Sequence, residues 1–358
     1  MPAWICSSLR AALYDLVFLG ADTAAMAEQQ QWFAGRRQVQ PRGSFGHISI
    51  FGHKVCEETI IMVAQPQAWI DDNQALVIRR AIPADSEVCG RICFDAFATL
   101  ANKHNFPPDF PAPEIPVHVL STMFSHPSFF CVVAEQNGKI IGSNCLDERT
   151  PIAGVGPITI DPSAQNHSAG RQLMQAVMTR AAERKFAGVR LVQAAYHNRS
   201  LSLYAKLGFV VREPLACMQG TPIQKTPLGY HVRPAEPSDL GACNDLCMRV
   251  HGHDRGGELK DAIQQGTAIV AESEGRIKAY ASSIAFSGHA VGEANRDLQA
   301  LIAAAKEFQG PGILVPTRNA GLLRWCLESG LRVVQPMTLM TTGLYNEPTG
   351  ACLPSILF

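Results

Sequence analysis

The sequence predicts a mixed α/β fold that occurs twice along one chain of 358 residues. Two observations lead to this prediction: an internal repeat and, within each copy, apolar patterns that alternate between the periods of strands and helices. The first copy starts with Ile78-Arg-Arg-Ala-Ile-Pro-Ala-Asp85, and the second starts with Val232-Arg-Pro-Ala-Glu-Pro-Ser-Asp239, 154 residues later. One hydrophobic core rarely serves more than roughly 250–300 residues, so two folded units are expected.

Two further segments repeat in the same order. Val133-Ala-Glu-Gln-Asn-Gly-Lys-Ile140 recurs as Val270-Ala-Glu-Ser-Glu-Gly-Arg-Ile277, and Leu207-Gly-Phe-Val-Val211 recurs as Ser329-Gly-Leu-Arg-Val333. The offset falls from 154 to 137 and then to 122 residues, so the second copy is shorter. We predict an N-terminal extension over 1–75, a first domain over 76–225 and a second domain over 230–358. The extension has the composition of linker or disordered sequence, and we assign it no function.

The patterns within each copy predict the order of the elements. A short strand opens each copy, and Asp85 or Asp239 is expected to cap the amphipathic helix that follows. Asn137-Gly138 between two apolar runs predicts a hairpin, which the second copy repeats over 269–282. A strand over 156–160, a helix over 169–186, a strand over 189–194 and a helix over 200–207 complete the first copy. The corresponding long helix of the second copy is placed at 297–308.

Composition narrows the class of protein. Lys plus Arg and Asp plus Glu each total 31, so the chain as a whole lacks the basic excess of a nucleic-acid-binding protein. No apolar run approaches the roughly 20 residues that a membrane helix needs. Eleven cysteines without a CxxC pair disfavour a disulfide framework or a zinc site and favour the cytoplasm. We expect Cys89, Cys93, Cys243 and Cys247 to pack in helical cores, and we expect no metal.

Small residues precede the long helix of the first copy, from Asp161 to Arg171. A helix start leaves backbone N–H groups unpaired, and the helix dipole adds partial positive charge there. Such a turn can hold a phosphate group. Small residues before a helix more often form a simple turn or cap, so this feature alone does not establish a phosphate site.

Three spaced motifs resemble those of the GNAT N-acetyltransferase superfamily. Gln165-x-x-Ser168-x-Gly170 resembles its pyrophosphate loop, whose pattern is Gln or Arg, two residues, Gly, one residue, and Gly or Ala. Ile158-x-Ile160-x-Pro162 resembles its fourth strand, and Asn198 with Leu203-Tyr204-x-Lys-Leu-Gly208-Phe209 resembles its late helix. Ser168 departs from the pattern, and a serine there requires a negative φ or a hydroxyl that assists the phosphate. The resemblance implies a tandem acyl-CoA N-acyltransferase fold with a degenerate second copy and acetyl-CoA as co-substrate.

The resemblance also implies roles for individual residues. Backbone groups of Ile158 and Ile160 would bind the pantetheine arm of acetyl-CoA, with Asn198 beside it. The pyrophosphate would be held by the loop residues Gln165, Asn166, His167, Ser168, Ala169, Gly170 and Arg171.

Chemistry in this superfamily is direct attack by an amine on the thioester, which needs a proton acceptor and a proton donor for the thiolate. Tyr204 matches the thiolate-protonating tyrosine, and the alternative is an aromatic core residue. Glu148, with Asp147 beside it, is the nearest candidate base, and the alternative is solvated charge at a strand end. The link between the first two helices is the candidate acceptor site and contains Phe106, Asp109, Phe110 and Glu114. This link would receive a cationic amine, or it would form a rigid surface loop.

The second copy has lost the corresponding features. The first copy spans 74 residues from Ala134 to Gly208, whereas the second spans 59 from Ala271 to Gly330. No Gln-x-x-Gly-x-Gly precedes its long helix, and Cys326 aligns with Tyr204. We therefore expect it to complete a core, close the substrate cleft or form a subunit interface, for which a homodimer is one arrangement.

Together these features predict an acetyl-CoA-dependent N-acetyltransferase that acts on a primary amine of a small molecule or peptide. Nucleic acid and membrane are not expected as partners. The alternative is a non-catalytic acyl-CoA-binding sensor or interaction protein. The sequence names neither the amine nor the preferred acyl chain.

Overall fold

The structure is a computed structural model that describes residues 76–165 and 168–357. The predicted extension over 1–75 therefore lies outside the described residues. Among the helices of the described part, none combines the length and the apolar character required to cross a membrane.

The first repeat contains the predicted alternation of strands and helices, which confirms the fold class. Its helices are α1 (Ser86–Lys103), α2 (Glu114–Ser125), α3 (Ala169–Glu183) and α4 (Asn198–Lys206). Its strands are β1 (Val77–Arg80), β2 (Phe129–Gln136), β3 (Lys139–Asp147), β4 (Ile152–Val155), β5 (Thr159–Ile160), β6 (Gly188–Ala194) and β7 (Val210–Gln219).

The second repeat follows the same order with shorter elements. Its strands are β8 (His231–Pro234), β9 (Ile269–Ser273), β10 (Arg276–Ala281), β11 (Ala290–Gly292), β12 (Ile313–Pro316) and β13 (Arg332–Gly343), and β14 (Ala351–Leu353) is added at the end. Its helices are α5 (Leu240–His251), α6 (Gly256–Gln264), α7 (Asn295–Ala304) and α8 (Ala320–Glu328). Within the described residues, no strand of this repeat corresponds to β5.

An equivalent ion-pair cluster marks the start of each repeat. Arg79 pairs with Asp85 at 2.8 Å and with Glu135 at 2.9 Å. Asp85 occupies the N-cap position of α1 as predicted, but within the described residues its carboxylate makes no capping hydrogen bond, because it binds Arg79 and the N–H of Ile82 at 2.9 Å. Asp239 occupies the N-cap position of α5 in the same way, in the equivalent cluster with Arg233 and Glu272.

The two repeats exchange their last strands. Among the described residues, nine strands form one sheet in the order β1-β2-β3-β4-β6-β13-β7-β12, with β5 paired to β3. Strand β13 of the second repeat lies between β6 and β7 of the first, antiparallel to both. Strand β7 in turn pairs with β12 of the second repeat. Apart from the added β14, the last strand of each repeat therefore pairs with the second-last strand of the other repeat, β7 with β12 and β13 with β6.

The remaining strands of the second repeat form a separate sheet in the order β14-β11-β10-β9-β8. The described residues belong to one compact unit, and the exchanged strands cross the boundary that we placed between 225 and 230. The division into two domains at that point therefore stays a prediction.

Of the strand predicted over 156–160, only Thr159–Ile160 is a strand, and a separate strand, β4, ends at Val155. The cis peptide Gly156–Pro157 separates β4 from β5. Strand β4 runs parallel to β6 from Ile152 to Gly154, whereas β5 pairs with β3 at Gly142 and Ser143. A side chain at position 142 would overlap the carbonyl oxygen of Thr159, so glycine permits this close crossing. A gap consequently opens between β5 and the second half of β6.

Apolar faces of the helices pack on the sheets as the sequence patterns predict. Leu173, Met174 and Val177 of α3 are buried against the first-repeat sheet. Complete burial of Cys89, Cys93, Cys243 and Cys247 confirms that these cysteines belong to helical cores.

Removal of the second repeat tests the strand exchange. A chain that ends at Gly229 should fail to show a cooperative thermal transition by circular dichroism, because β6 and β7 lose the strand that pairs with both. Residues 230–358 supplied as a separate chain should restore the transition. A cooperative transition in the shortened chain without this supplement would show that the first repeat does not need β13.

Candidate active site

The gap between β5 and β6 carries backbone groups that face away from the sheet. Asp161 donates its N–H to Ile141 of β3 at 2.8 Å. Because backbone groups alternate in direction along an antiparallel strand, the N–H and C=O of Ile160 point away from β3 and toward the gap. Ile158 precedes β5, so this alternation does not extend to it. A ligand in the gap would meet the backbone of Ile160.

The start of α3 lies at the end of β5. Asp161 accepts hydrogen bonds from the N–H of Ser163 at 2.8 Å and from its hydroxyl at 2.7 Å, which closes a short turn over Pro162–Ala164. The helix then begins at Ala169 and Gly170, whose N–H groups belong to its first turn. The predicted loop residues Asn166 and His167 lie outside the described residues.

Ser168 has a left-handed backbone, with φ of 62° and ψ of −5°. The negative φ that we set as a condition for serine here is therefore not present. The side-chain oxygen accepts a hydrogen bond from Gln172 Nε2 at 3.1 Å. A non-glycine residue in this region costs roughly 1 kcal/mol, so the loop carries local backbone strain.

A basic pocket of about 350 Å³ lies between the starts of α3 and α4. Arg171 of α3 lines it together with Arg199 and Lys206 of α4. Arg199 also donates to Gln165 Oε1 at 3.0 Å, which links the loop to α4. No carboxylate stands among the described residues that line the pocket, which Asn198, Ser202 and Leu203 complete. The site is therefore locally cationic although the chain as a whole is neutral.

Only part of this pocket was predicted from the sequence. The prediction named Arg171 and Asn198 but missed Arg199, Ser202 and Lys206. The signal was present in the spacing, because residues 198, 202 and 206 are four apart and share one face of a helix.

Tyr204 combines features of a core residue and of an acid. Its side chain is 6% exposed and packs in the cluster that contains Leu173 and Leu191. Burial raises the pKa of Tyr204 to about 12, and a hydrogen bond with Ser200 acts in the opposite direction. The phenol is therefore protonated at neutral pH.

Gln193 is a buried polar residue of β6 that sequence reasoning missed. It is 7% exposed, and both atoms of its amide lack a hydrogen-bond partner among the described residues. It lies beyond the last residue of β6 that pairs with β4, Arg190. A buried amide without partners is costly, so this position is suited to a polar ligand or water.

The Glu148 carboxylate is occupied by an ion pair. Arg180 Nε and Nη2 donate to its two oxygens at 2.7 and 3.1 Å. Asp147 is paired with Arg149 at 2.6 Å. Each of these two carboxylates is therefore engaged in an ion pair with an arginine.

The link between α1 and α2 contacts a residue of the second repeat. Gln335 of β13 is 1% exposed and donates to Asp109 Oδ1 at 2.9 Å. Tyr196 donates to Gln335 Oε1 at 3.1 Å, and its ring stacks on Phe106 at 4.1 Å. Burial raises the pKa of Asp109, and the Gln335 hydrogen bond lowers it. Phe110 packs instead on Phe97, and Glu114 is exposed.

Comparison with protein-family models decides the identity of this region. Residues 95–209 match the model described as "Acetyltransferase (GNAT) family". This segment belongs to the GNAT family. It contains the gap, the start of α3 and the whole of α4.

Solved structures share the fold over both repeats. A proposed acetyltransferase of Pyrococcus horikoshii is 20% identical with a TM-score of 0.62, covering 78% of this chain and 94% of that one. A GCN5-related N-acetyltransferase of Sphaerobacter thermophilus is 16% identical with a TM-score of 0.51, covering 76% and 96%. At these identities the likeness shows the fold alone. No curated protein matches the chain.

The second repeat differs from the GNAT domain at the equivalent position. Strand β14 pairs with β11 and lies against β12, where the first repeat has its gap. Two residues separate β11 from α7, whereas eight separate β5 from α3. The Asp297 carboxylate accepts the N–H of Ala294 at 2.7 Å at the start of α7. A carboxylate thus lies at the start of α7, and an additional strand, β14, pairs with β11.

His251 and His253 of the second repeat are buried, and His251 lines a cavity to which Arg190 and Glu213 of the first repeat also contribute. His251 Nε2 lies 3.1 Å from His289 Nε2, and both residues line this cavity of about 560 Å³. In the described part of the chain, no group of three or more His, Cys, Asp or Glu side chains could hold a metal ion.

Replacement of Ser168 tests the strain in the GNAT loop. Ser168→Gly should raise the free energy of unfolding by about 0.5–1 kcal/mol, which corresponds to about 1–3 °C in melting temperature, because glycine adopts positive φ without strain. Ser168→Ala keeps the strained backbone and should not melt above the natural protein. Equal melting temperatures for Ser168→Gly and Ser168→Ala would contradict the assignment of strain.

Proposed function

We propose that the GNAT domain transfers an acetyl group from acetyl-CoA to a primary amine by direct attack. The observation that carries this proposal is the basic pocket at the start of α3, next to the gap between β5 and β6. A helix start surrounded by arginine and lysine is suited to the phosphate groups of CoA. The gap is suited to an extended amide-containing arm, because Ile160 presents backbone groups there.

The proposed roles divide between the two ends of the site. Arg171 and Lys206, with the N–H groups of Ala169 and Gly170, would hold the phosphates. Ile158, Ile160 and Asn198 would orient the pantetheine arm. Gln165 and Ser168 would hold the loop in place, because they accept hydrogen bonds from Arg199 and Gln172. Binding along this line fixes the thioester relative to the amine, which is the main rate advantage of a direct transfer.

Tyr204 is the proposed proton donor to the leaving thiolate. Its raised pKa keeps the hydroxyl protonated at neutral pH, as a donor requires. Burial among apolar side chains also excludes water from the thiolate. We do not assign the base role to Glu148, because Arg180 holds both of its oxygens.

We propose a cationic amine as the acceptor, received by Asp109. This carboxylate lies in a half-buried position beside the stacked Phe106 and Tyr196 rings. An ammonium group would pair with the carboxylate and contact the aromatic faces. Gln335 of β13 orients Asp109 by a hydrogen bond, so the second repeat contributes a residue to the proposed acceptor site of the GNAT domain.

A sensor that binds acyl-CoA without turnover is the second candidate function. The left-handed backbone of Ser168 favours it, because the superfamily pattern has glycine at this position. Calorimetric titration with acetyl-CoA, followed by thiol release with a panel of primary amines and peptide N-termini, separates the two functions. Binding with amine-dependent thiol release supports transfer, whereas binding without release supports the sensor.

Tyr204→Phe tests the proton donor. Turnover should fall about 100-fold while the Kd for acetyl-CoA changes less than threefold, because the lost hydroxyl acts after binding. Tyr280→Phe removes the hydroxyl of a buried tyrosine in the second repeat and should leave turnover unchanged. Wild-type turnover in Tyr204→Phe would remove the donor role.

Asp109→Asn tests the acceptor site. The kcat/KM for amines should fall about 10- to 100-fold, because a charge-assisted hydrogen bond is lost. Since burial raises the pKa of Asp109, natural kcat/KM should fall with decreasing pH at a higher pH than for an ordinary aspartate, and the variant should lack this fall. Asp95→Asn, at an exposed position of α1, is the matched control. An unchanged pH profile in Asp109→Asn would contradict the assignment.

A further inference from the structure

Three polar side chains lie in a row along helix α4, and the row ends at the proposed acid, Tyr204. His197 immediately precedes the helix, Ser200 lies in its first turn, and Tyr204 lies one turn later. Their spacings of three and four residues place them on one face of the helix. The row leads from the buried phenol to a half-buried imidazole at the start of the helix.

The contacts in this row gain a direction when Tyr204 loses its proton. Ser200 Oγ lies 2.6 Å from His197 Nδ1. A hydrogen bond with Ser200, one helical turn earlier, lowers the pKa of the Tyr204 phenol. A phenolate oxygen can only accept, so Ser200 donates to it in that state. A hydroxyl has one proton to donate, so Ser200 Oγ then accepts its other hydrogen bond from His197 Nδ1–H.

Helix capping does not account for His197. It occupies the N-cap position of α4, yet within the described residues its side chain makes no capping hydrogen bond. The second repeat has an ordinary cap at the same place, where Asn319 accepts the N–H of Leu322 at 3.2 Å. An imidazole is therefore not needed to start this helix.

The second repeat has lost all three members of the row. At an offset of 122 residues, Cys326, Leu322 and Asn319 stand in the places of Tyr204, Ser200 and His197. The alignment is structural, because Leu331 donates to the carbonyl of Cys326 at 3.0 Å as Phe209 donates to that of Tyr204 at 3.0 Å. Loss of the phenol thus coincides with loss of the serine and the histidine.

We infer that Ser200 and His197 form a relay that returns a proton to Tyr204 after each transfer. This inference rests on the proposed function, because it needs Tyr204 as the donor to the thiolate. Tyr204 gives its proton to the sulfur, Ser200 gives its hydroxyl proton to the phenolate, and His197 Nδ1–H gives its proton to Ser200. His197 Nε2 takes a proton from water, and exchange with solvent restores the Nδ1–H form. The proton released by the attacking ammonium group enters the same solvent, so the cycle balances.

The surroundings keep His197 in the neutral form that such a relay uses. Burial lowers the pKa of His197, and the positive charges of Arg199, His104 and Lys103 act in the same direction. A neutral imidazole accepts a proton at one nitrogen while it donates from the other. Ser200 and His197 act through Tyr204, so they position and supply its proton without contact with the substrate.

The relay is tested on the full chain with Ser200→Ala and His197→Ala, each alone and combined with Tyr204→Phe. Each single variant should lower kcat about tenfold and leave the KM for acetyl-CoA within about twofold. In the Tyr204→Phe background neither should cause a further fall, because the relay has no phenolate to serve. Imidazole in the buffer should restore turnover to His197→Ala but not to Ser200→Ala, whereas Ser200→Thr should retain turnover.

Thr122→Ala and His118→Ala on α2 remove the same chemical groups from a hydroxyl and an imidazole at a distance from the row, and serve as controls. His197→Gln replaces His197→Ala if the latter does not fold, as judged by its melting transition. Full kcat in both Ser200→Ala and His197→Ala, with a reduced kcat in Tyr204→Phe, overturns the relay and leaves the transferase intact. A fall that persists unchanged in the Tyr204→Phe background shows a structural role and also overturns it. Absence of thiol release from the natural protein refutes the proposed function, and the relay with it.

Discussion

The pairing of β13 with β6 is the constraint on which the site depends. Backbone N–H and C=O groups of a buried strand require partners, and β13 supplies them along β6 from Gly188 to Ala194. One edge of β6 is therefore fixed along its length, and the other edge can remain open beyond Arg190. The gap beside β5 is thus a feature of a sheet that the second repeat completes.

The two repeats carry opposite charges at the start of their long helices, α3 and α7. The start of α3 faces Arg171, Arg199 and Lys206, whereas the start of α7 is bonded by the carboxylate of Asp297. The first arrangement favours a phosphate group at the helix start, and the second disfavours it. Strand β14 adds a steric difference, because it lies between β11 and β12. The second repeat thus keeps the scaffold but differs in charge and in strand arrangement at this position.

Retention of the second repeat has a physical explanation in two contacts with the first. Strand β13 completes the GNAT sheet, and Gln335 on that strand holds Asp109 of the α1–α2 link. A mutation that loosened β13 would therefore affect both the gap and the proposed acceptor side. The second repeat therefore contributes to the site of the first through packing and one buried amide.

Local patterns carry much of what the sequence reveals about this protein. The repeat, the Asn137-Gly138 hairpin and the apolar stripe of α3 depend on residues close in the chain, and the structure contains each of them. The strand exchange could not be read in this way, since β7 and β13 have the same alternating pattern and either could pair with β6. Likewise, Gln335 and Asp109 are 226 residues apart, and no local pattern links them. Spacing along the chain therefore predicted the elements, whereas the strand partners, the ion pair of Glu148 and the Gln335–Asp109 contact arose from long-range packing.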